Sequence, residues 1–249
     1  QVNWFAKSSG TTNNKSKLIP VSKEALHKCH YKGGKDMLSL YCEQVPGTKV
    51  FSGKTIMMGG TSKMNVSEDG ARMGDLSAII VENLPFWIDR YRLPSREVHL
   101  MDSWEEKINL MAKQALKQDI TSFSGVPSWL LLLMKKVMEK SGSDHLKEVW
   151  PNLELFMHGG VHFNPYKSHF DQFSQGLNYM ETYNASEGFF GIQYERDASD
   201  LLLMLDYGVF YEFIPMTQFH QEQPVALTLE SVSLGVNYAL VITTNAGLW

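Results

Sequence analysis

The chain has 249 residues, 43% of them hydrophobic and 12% aromatic, enough for a sizeable core and too much for a disordered polypeptide. Its 23 basic and 27 acidic residues leave a net charge of -4 with no basic run, which removes the electrostatic ground for binding nucleic acid. Two cysteines, Cys29 and Cys42, are too few for a disulfide framework and suit reduced thiols in a cytoplasmic protein.

The first residues, Gln1-Val2-Asn3-Trp4, lack an initiator methionine and a signal-peptide pattern, so the chain is expected to begin in mid-protein. The stretch from Phe5 to Pro20 then sets Ser8, Ser9, Thr11 and Thr12 around Gly10 and follows them with Lys15 and Lys17. Gly10 can adopt φ > 0 and let successive N–H groups converge on an anion, and the hydroxyls add donors that can follow phosphate oxygens. A nucleotide is the ligand this pattern suits, beside the plainer reading of a solvated Ser/Thr/Asn loop.

Ser22 ahead of Lys23-Glu24-Ala25-Leu26 reads as a helix start, with Leu26, Cys29, Met37, Leu38 and Tyr41 at helical spacing and Gly33-Gly34 expected to weaken or interrupt the helix. Gly47 to Gly53 looks like a Walker phosphate loop, but five residues separate the glycines where that motif has four, and Ile56-Met57-Met58 continues as strand where a helix should open. A hairpin turn is the expectation there. Lys54 to Met58 reads as a strand, Asp75 to Glu82 as a short helix, and Ser103-Trp104-Glu105-Glu106 as a capping box opening a helix to about Lys117.

Ile120 to Ser124 is the next strand, after which Gly125 turns the chain and Pro127 begins a helix running to Lys140. Within that helix, Trp129 to Met134 is the longest strongly apolar run, far short of the roughly 20 residues that span a membrane. Leu153 to Met157 reads as a further strand, ending at Gly159-Gly160. His158 and His162 are four positions apart, yet the two glycines between them disfavour a helix that would aim both at one metal, so a structural role is expected. Asn184-Ala185-Ser186-Glu187-Gly188 misses a hydrolase nucleophile elbow, because Asn184 stands where the sharp turn has glycine. Leu201 to Leu205 and Val209 to Phe213, joined by Asp206-Tyr207-Gly208, read as a β-hairpin. Helices alternate with strands for two thirds of the chain and strands dominate afterwards, which predicts α/β layers with an antiparallel portion late, in one domain.

Ser8-Ser9-Gly10-Thr11-Thr12, then Gly125-Val126-Pro127-Ser128-Trp129, Met157-His158-Gly159-Gly160-Val161 and Tyr183 to Gly188 occur in this order, and the set resembles the adenylate-forming superfamily. Its details are similar to the Gretchen Hagen branch, the acyl-acid amido synthetases of the plant auxin-responsive family and their bacterial relatives. The resemblance implies a layered α/β N-terminal domain of an adenylate-forming enzyme that joins a carboxylic acid to an amino acid through an acyl-adenylate, with ATP and Mg²⁺.

By the same resemblance, Ser8 to Thr12 with Lys15 or Lys17 would hold the β- and γ-phosphates, and Gly159-Gly160-Val161 would wall one face of adenine. Tyr183 would stack on the other face, beside Asn184 and Ala185; Ser186 would donate to the α-phosphate and Glu187 would help to hold Mg²⁺, the last two being the catalytic pair. Val126 and Trp129 would face the acid. Asn13-Asn14 stand where other branches of the superfamily tend to have glycine, which favours the amido synthetase branch over a coenzyme A ligase; the ligase stays the enzymatic alternative, and a non-catalytic binding module that retained the fold is the other. The resemblance also implies a ribose-binding aspartate and a C-terminal domain bearing a lysine beyond Trp249, so residues 1–249 are expected to be the central part of the N-terminal domain, without its C-terminal lid, and to be inactive by themselves.

Overall fold

A computed structural model of the chain describes residues 2–8, 17–59, 64–196 and 198–246. The chain opens with β1 (Trp4–Lys7) and β2 (Leu18–Val21). The Ser22 hydroxyl then accepts the Ala25 N–H at 2.9 Å, a cap at the position where the residue types place one, and a π-helical segment (Ala25–His30) runs into α1 (Tyr31–Gln44). After a turn come β3 (Lys54–Met58), β4 (Asn65–Val66), β5 (Arg72–Gly74) and α2 (Leu76–Asn83). A 3-10 turn leads to β6 (Arg92–Leu93), α3 (Arg96–His99) and α4 (Trp104–Ala115). The middle of the chain alternates as β7 (Ile120–Gly125), α5 (Pro127–Ser141), α6 (Leu146–Val149), β8 (Leu155–Gly159) and α7 (Asn164–Phe173). It ends with β9 (Asn178–Ala185), β10 (Gly188–Ile192), β11 (Leu202–Leu203), β12 (Val209–Pro215) and β13 (Tyr238–Thr244).

The central sheet has the order β11-β10-β9-β8-β7-β3-β6, and every pairing from β9 across to β6 is parallel. β7 and β8 are buried almost throughout, as strands covered on both faces must be, and alternation along β8 sends Phe156 to one face and Leu155 and Met157 to the other. On the Phe156 face, α4, α5 and α7 bury Met111, Leu130, Met134, Val137 and Phe170 around Phe123 and Trp150. The Trp150 indole satisfies its one donor on the Ala115 carbonyl at 3.1 Å. On the opposite face, Met37 and Tyr41 of α1 pack with Phe189, Phe190, Tyr207 and Tyr211. Smaller antiparallel pairings flank this sheet: β1 with β2, and β12 with β13 in register from Val209↔Thr244 to Pro215↔Tyr238. Among the described residues no helix is long and apolar enough to cross a membrane.

Four local expectations are corrected. α1 runs through Gly33-Gly34 without a break, because the missing side chain serves packing: a Cβ on Gly33 would stand 2.5 Å from the Phe189 ring. The α4 helix begins at the capping-box position, but the Ser103 hydroxyl makes no capping hydrogen bond. Gly47 to Gly53 joins a helix to a strand and is not a hairpin, and there the Glu154 carboxylate accepts the Thr48 hydroxyl and the Lys49 N–H. Residues 201–213 do not form a hairpin either. β11 pairs with β10 and β12 with β13, since Tyr207 between them is fully buried with its hydroxyl donating to Asp36 at 2.9 Å, while Lys32 bridges Asp36 and Asp206.

The two helix glycines should respond oppositely to alanine. Gly33→Ala should destabilise the fold by about 1–2 kcal/mol, overpacking against Phe189 outweighing the gain in helix propensity. Gly34 has open space around it, so Gly34→Ala should stabilise by up to about 1 kcal/mol. Urea unfolding of the two variants should move the midpoint in opposite directions.

Candidate functional site

Parallel strands place their carboxyl ends on one side of a sheet, which is where open α/β folds bind ligands. Here Met58 of β3 lies opposite Gly125 of β7, Gly125 opposite His158 of β8, and Gly159 opposite Thr182 of β9. A cleft of about 2590 Å³ opens along this edge. Segments far apart in the sequence meet at it: Lys7, Ser8 and Lys17; Val126 and Trp129; Gly159 to Val161; and Tyr183 to Glu187.

The stem of the first loop is closed by reciprocal hydrogen bonds, the Ser8 N–H donating to the Lys17 carbonyl at 2.9 Å and the Lys17 N–H to the Ser8 hydroxyl at 3.0 Å. Ser8 and Lys17 thus flank the cleft, while Ser9, Gly10, Thr11, Thr12 and Lys15 lie outside the described residues. Two glycines keep the strand ends close. A Cβ on Gly159 would stand 2.3 Å from the Thr182 carbonyl, and one on Gly125, at φ +148°, 2.6 Å from the Met58 carbonyl. Gly160 turns away at φ +80°, leaving a ledge of bare backbone beside Val126 and ahead of the exposed Val161.

Tyr183 is 52% exposed, its ring edge against Phe190 at 5.2 Å between centroids, so it is a cleft residue and not core. Asn184 is tied to the buried His30 ring, Oδ1 to Nδ1 at 3.1 Å. Ser186 and Glu187 form the two-residue link between β9 and β10, with Ala185 paired to Gly188. Trp129 in the first turn of α5 is half-buried, its ring edge on Trp104 at 5.4 Å, so it both packs on the core and lines the cleft beside Val126.

His158 stacks on Phe163 at 3.9 Å and is buried, whereas His162 is exposed; the two do not converge, and no group of three or more His, Cys, Asp or Glu that could hold a metal gathers among the described residues. Residue patterns also left a polar floor unseen. His99 is 1% exposed, its ring against the Met57 backbone. The fully buried Lys107 donates toward the Gly59 carbonyl at 3.4 Å, and Asp75, at the start of α2, lines the cleft. Burial pushes Lys107 down to about 8 against the pull of Asp75, and burial raises Asp75 despite the charges of Lys107 and Lys7. The one signal in the sequence was a lysine on the stripe that carries Met111 and Ala115 one and two turns later.

Residues 1–179 match the profile of the GH3 family N-terminal domain, and residues 202–249 that of the GH3 family central domain. No curated protein sequence matches the chain. A GH3.15 acyl acid amido synthetase superposes with a TM-score of 0.76 at 16% identity, over 99% of this chain and 51% of its own. A GH3.15 acyl acid amido synthetase in complex with 2,4-DB superposes with a TM-score of 0.77 at 16% identity, over 99% of this chain and 52% of its own. An open conformation of 2-hydroxyisobutyryl-CoA ligase, in complex with 2-HIB-AMP and CoA, gives 0.51 at 9% identity, over 85% and 43%. The fold is that of adenylate-forming enzymes, and the chain spans about half the length of the synthetases it matches.

Three buried histidines of this region make stability depend on pH. Burial lowers His30 to about 4 against its bond to Asn184; burial, then the charges of Lys107 and Arg92, lowers His99 to about 3 against its bond to the Met57 backbone; burial alone lowers His158 to about 4. The folded values lie below the ordinary 6.5, so the neutral rings favour folding fully above that pH. This contribution is lost as pH falls from about 6.5 towards 4, because the unfolded chain then binds more protons. Urea unfolding should show a loss of about 1–2 kcal/mol per histidine between pH 7 and 5. His158→Gln should reduce that loss by one histidine's share, and an unchanged slope would remove His158 from the account.

Proposed function

The chain belongs to the GH3 family, and on that footing we propose that it forms the nucleotide- and acyl-binding part of an ATP-dependent acyl-acid amido synthetase. The observation that carries the reading is the convergence of three remote segments, the Ser8–Lys17 stem, Gly159 to Val161 and Tyr183 to Glu187, on one cleft at the carboxyl ends of the parallel strands. In this reading the protein is cytoplasmic and its two cysteines stay free.

The residues fit the nucleotide. The bare ledge at Gly159-Gly160, which a Cβ would fill, offers a flat wall to a purine, and the exposed Tyr183 ring can close the other face. Ser8 and Lys17 would meet the phosphates, where the Lys17 and Lys7 charges would offset phosphate charge. Ser186 and Glu187, in the turn that the β9–β10 pairing closes, line the same cleft. Glu187 alone suits Mg²⁺, which commonly takes one or two protein carboxylates and completes its shell with water and substrate phosphate oxygens.

In the reaction a carboxylate attacks the α-phosphorus and pyrophosphate leaves; an amino acid's amine then attacks the acyl carbonyl and AMP leaves. The protein's share is to align the reactants, to meet charge as it develops on the phosphate and to keep water from the acyl group. Val126 and Trp129, apolar and adjacent to the ledge, would receive the acid.

A chain of the matched synthetases' full length that carries residues 1–249 should catalyse acid-dependent exchange of pyrophosphate into ATP, with amino acids and not coenzyme A as acyl acceptors, while residues 1–249 by themselves should not; absence of exchange by the former across a panel of carboxylic acids would refute the reading. Glu187→Gln should slow exchange by roughly two orders of magnitude, about 2.7 kcal/mol, and an unchanged rate in a folded variant would exclude the metal role. Tyr183→Phe should keep most of the affinity for AMP, while Tyr183→Ala should lose roughly 1–3 kcal/mol by calorimetry. Equal affinity in the alanine variant would place the ring away from adenine.

A further inference from the structure

The turn that joins β9 to β10 is held from outside its own hairpin. Asn184 and Phe189 face each other across the two strands, next to the Ala185–Gly188 pair that closes the turn. Two consecutive residues of the π-helical segment grip that pair, one on each strand. His30 donates from Nδ1 to Asn184 Oδ1 at 3.1 Å, and the Cys29 sulfur accepts the Phe189 N–H at 3.1 Å. β11 pairs only with Gly191 and Ile192 of β10, so the Phe189 N–H lies beyond that ladder and the sulfur is the acceptor it finds. The register of β9 with β10 shifts between Phe189 and Gly191, which leaves the hairpin irregular close to its turn and gives the outside hold its purpose.

We propose, resting on the synthetase reading above, that Cys29 and His30 are positioning residues that fix the Ser186–Glu187 turn for adenylate formation, acting through Phe189 and Asn184. Their chemistry sets them apart from ordinary packing. Apolar side chains would cover β10 equally well, whereas a thiol and an imidazole supply two directed contacts, and buried polar groups cost free energy unless they are bonded. The π-helical segment also follows β2 directly, so the Ser8–Lys17 stem and the β9–β10 turn are tied together through one short stretch of chain. Ser22 anchors that stretch at its start, accepting the Ala25 N–H and donating to the Asn245 carbonyl at 2.8 Å. π turns are rare and collect at functional sites. Burial lowers His30 to about 4, so at neutral pH the ring holds Asn184 from Nδ1–H without adding a charge to the cleft that Glu187 lines. Such a hold matters to rate because a displacement of about 1 Å at reacting groups can cost about 100-fold.

The test is pyrophosphate exchange by a chain of the matched synthetases' full length that carries residues 1–249, unaltered and with His30→Phe, His30→Gln or Cys29→Ala. His30→Phe keeps a ring and loses the donor, so kcat should fall about 10- to 100-fold while KM for the acid stays within about twofold. His30→Gln, whose amide can donate to Asn184, should recover most of the rate, and Cys29→Ala should lower kcat in the same way. In a Glu187→Gln background His30→Phe should cost distinctly less than in the unaltered chain, because the turn it holds has already lost its carboxylate. Unchanged kcat in a folded His30→Phe or Cys29→Ala variant, a loss that His30→Gln does not recover, or an equal loss in the Glu187→Gln background would each overturn the positioning role. If His30→Phe does not fold, the Cys29→Ala rates decide in its place. Absence of exchange by the unaltered chain would instead refute the synthetase reading beneath it.

Discussion

The close approach of the parallel strands at their carboxyl ends is the constraint on which the rest of this molecule depends. Gly125 and Gly159 sit where a Cβ would drive into the carbonyls of Met58 and Thr182, so β3, β7, β8 and β9 can converge only with glycine at those two places. Convergence aligns the strand ends into one edge, with bare glycine backbone along part of the cleft.

The two helical layers serve that edge. On one face the aromatic cluster of Phe123, Trp150, Phe156 and Phe170 anchors α5, whose first turn presents Val126 and Trp129 to the cleft. On the other, α1 presses Gly33 onto Phe189 and is pinned by Asp36 and Lys32 to the Asp206-Tyr207 turn. His30, in the π-helical turn that leads into α1, reaches Asn184 and so ties this layer to the β9–β10 link that carries Ser186 and Glu187. Packing and site geometry are joined through single contacts, which is why a change in the helix layer can be felt at the cleft.

Electrostatics divides the cleft into two ends. Beside the Ser8–Lys17 stem, Lys7 and Lys17 are surface cations. Towards β3 burial acts on the ionisable groups: His99 is held neutral, Lys107 is lowered, and the half-buried Asp75 is raised although the Lys7 charge reaches it. Burial disfavours charge in all three, so this end suits neutral and apolar matter.

Residue types alone determined the helix start at Ser22, the strand, glycine and proline succession from Ile120 to Pro127, the buried strands β7 and β8, and the order of motifs along the cleft, because these rest on local backbone preferences and side-chain periodicity. Tertiary structure decided what local preference cannot express. Gly33-Gly34 looked like a helix breaker until Phe189 filled the space, and residues 201–213 looked like a hairpin until β10 and β13 offered better edges and Asp36 bound Tyr207. Ser103 stood at a helix start without capping it. Asp75, His99 and Lys107 come together from elements between α2 and α4 whose meeting no spacing encodes. A residue's partners along the chain are set by covalent distance, whereas its partners across the cleft exist only once the sheet has closed around them.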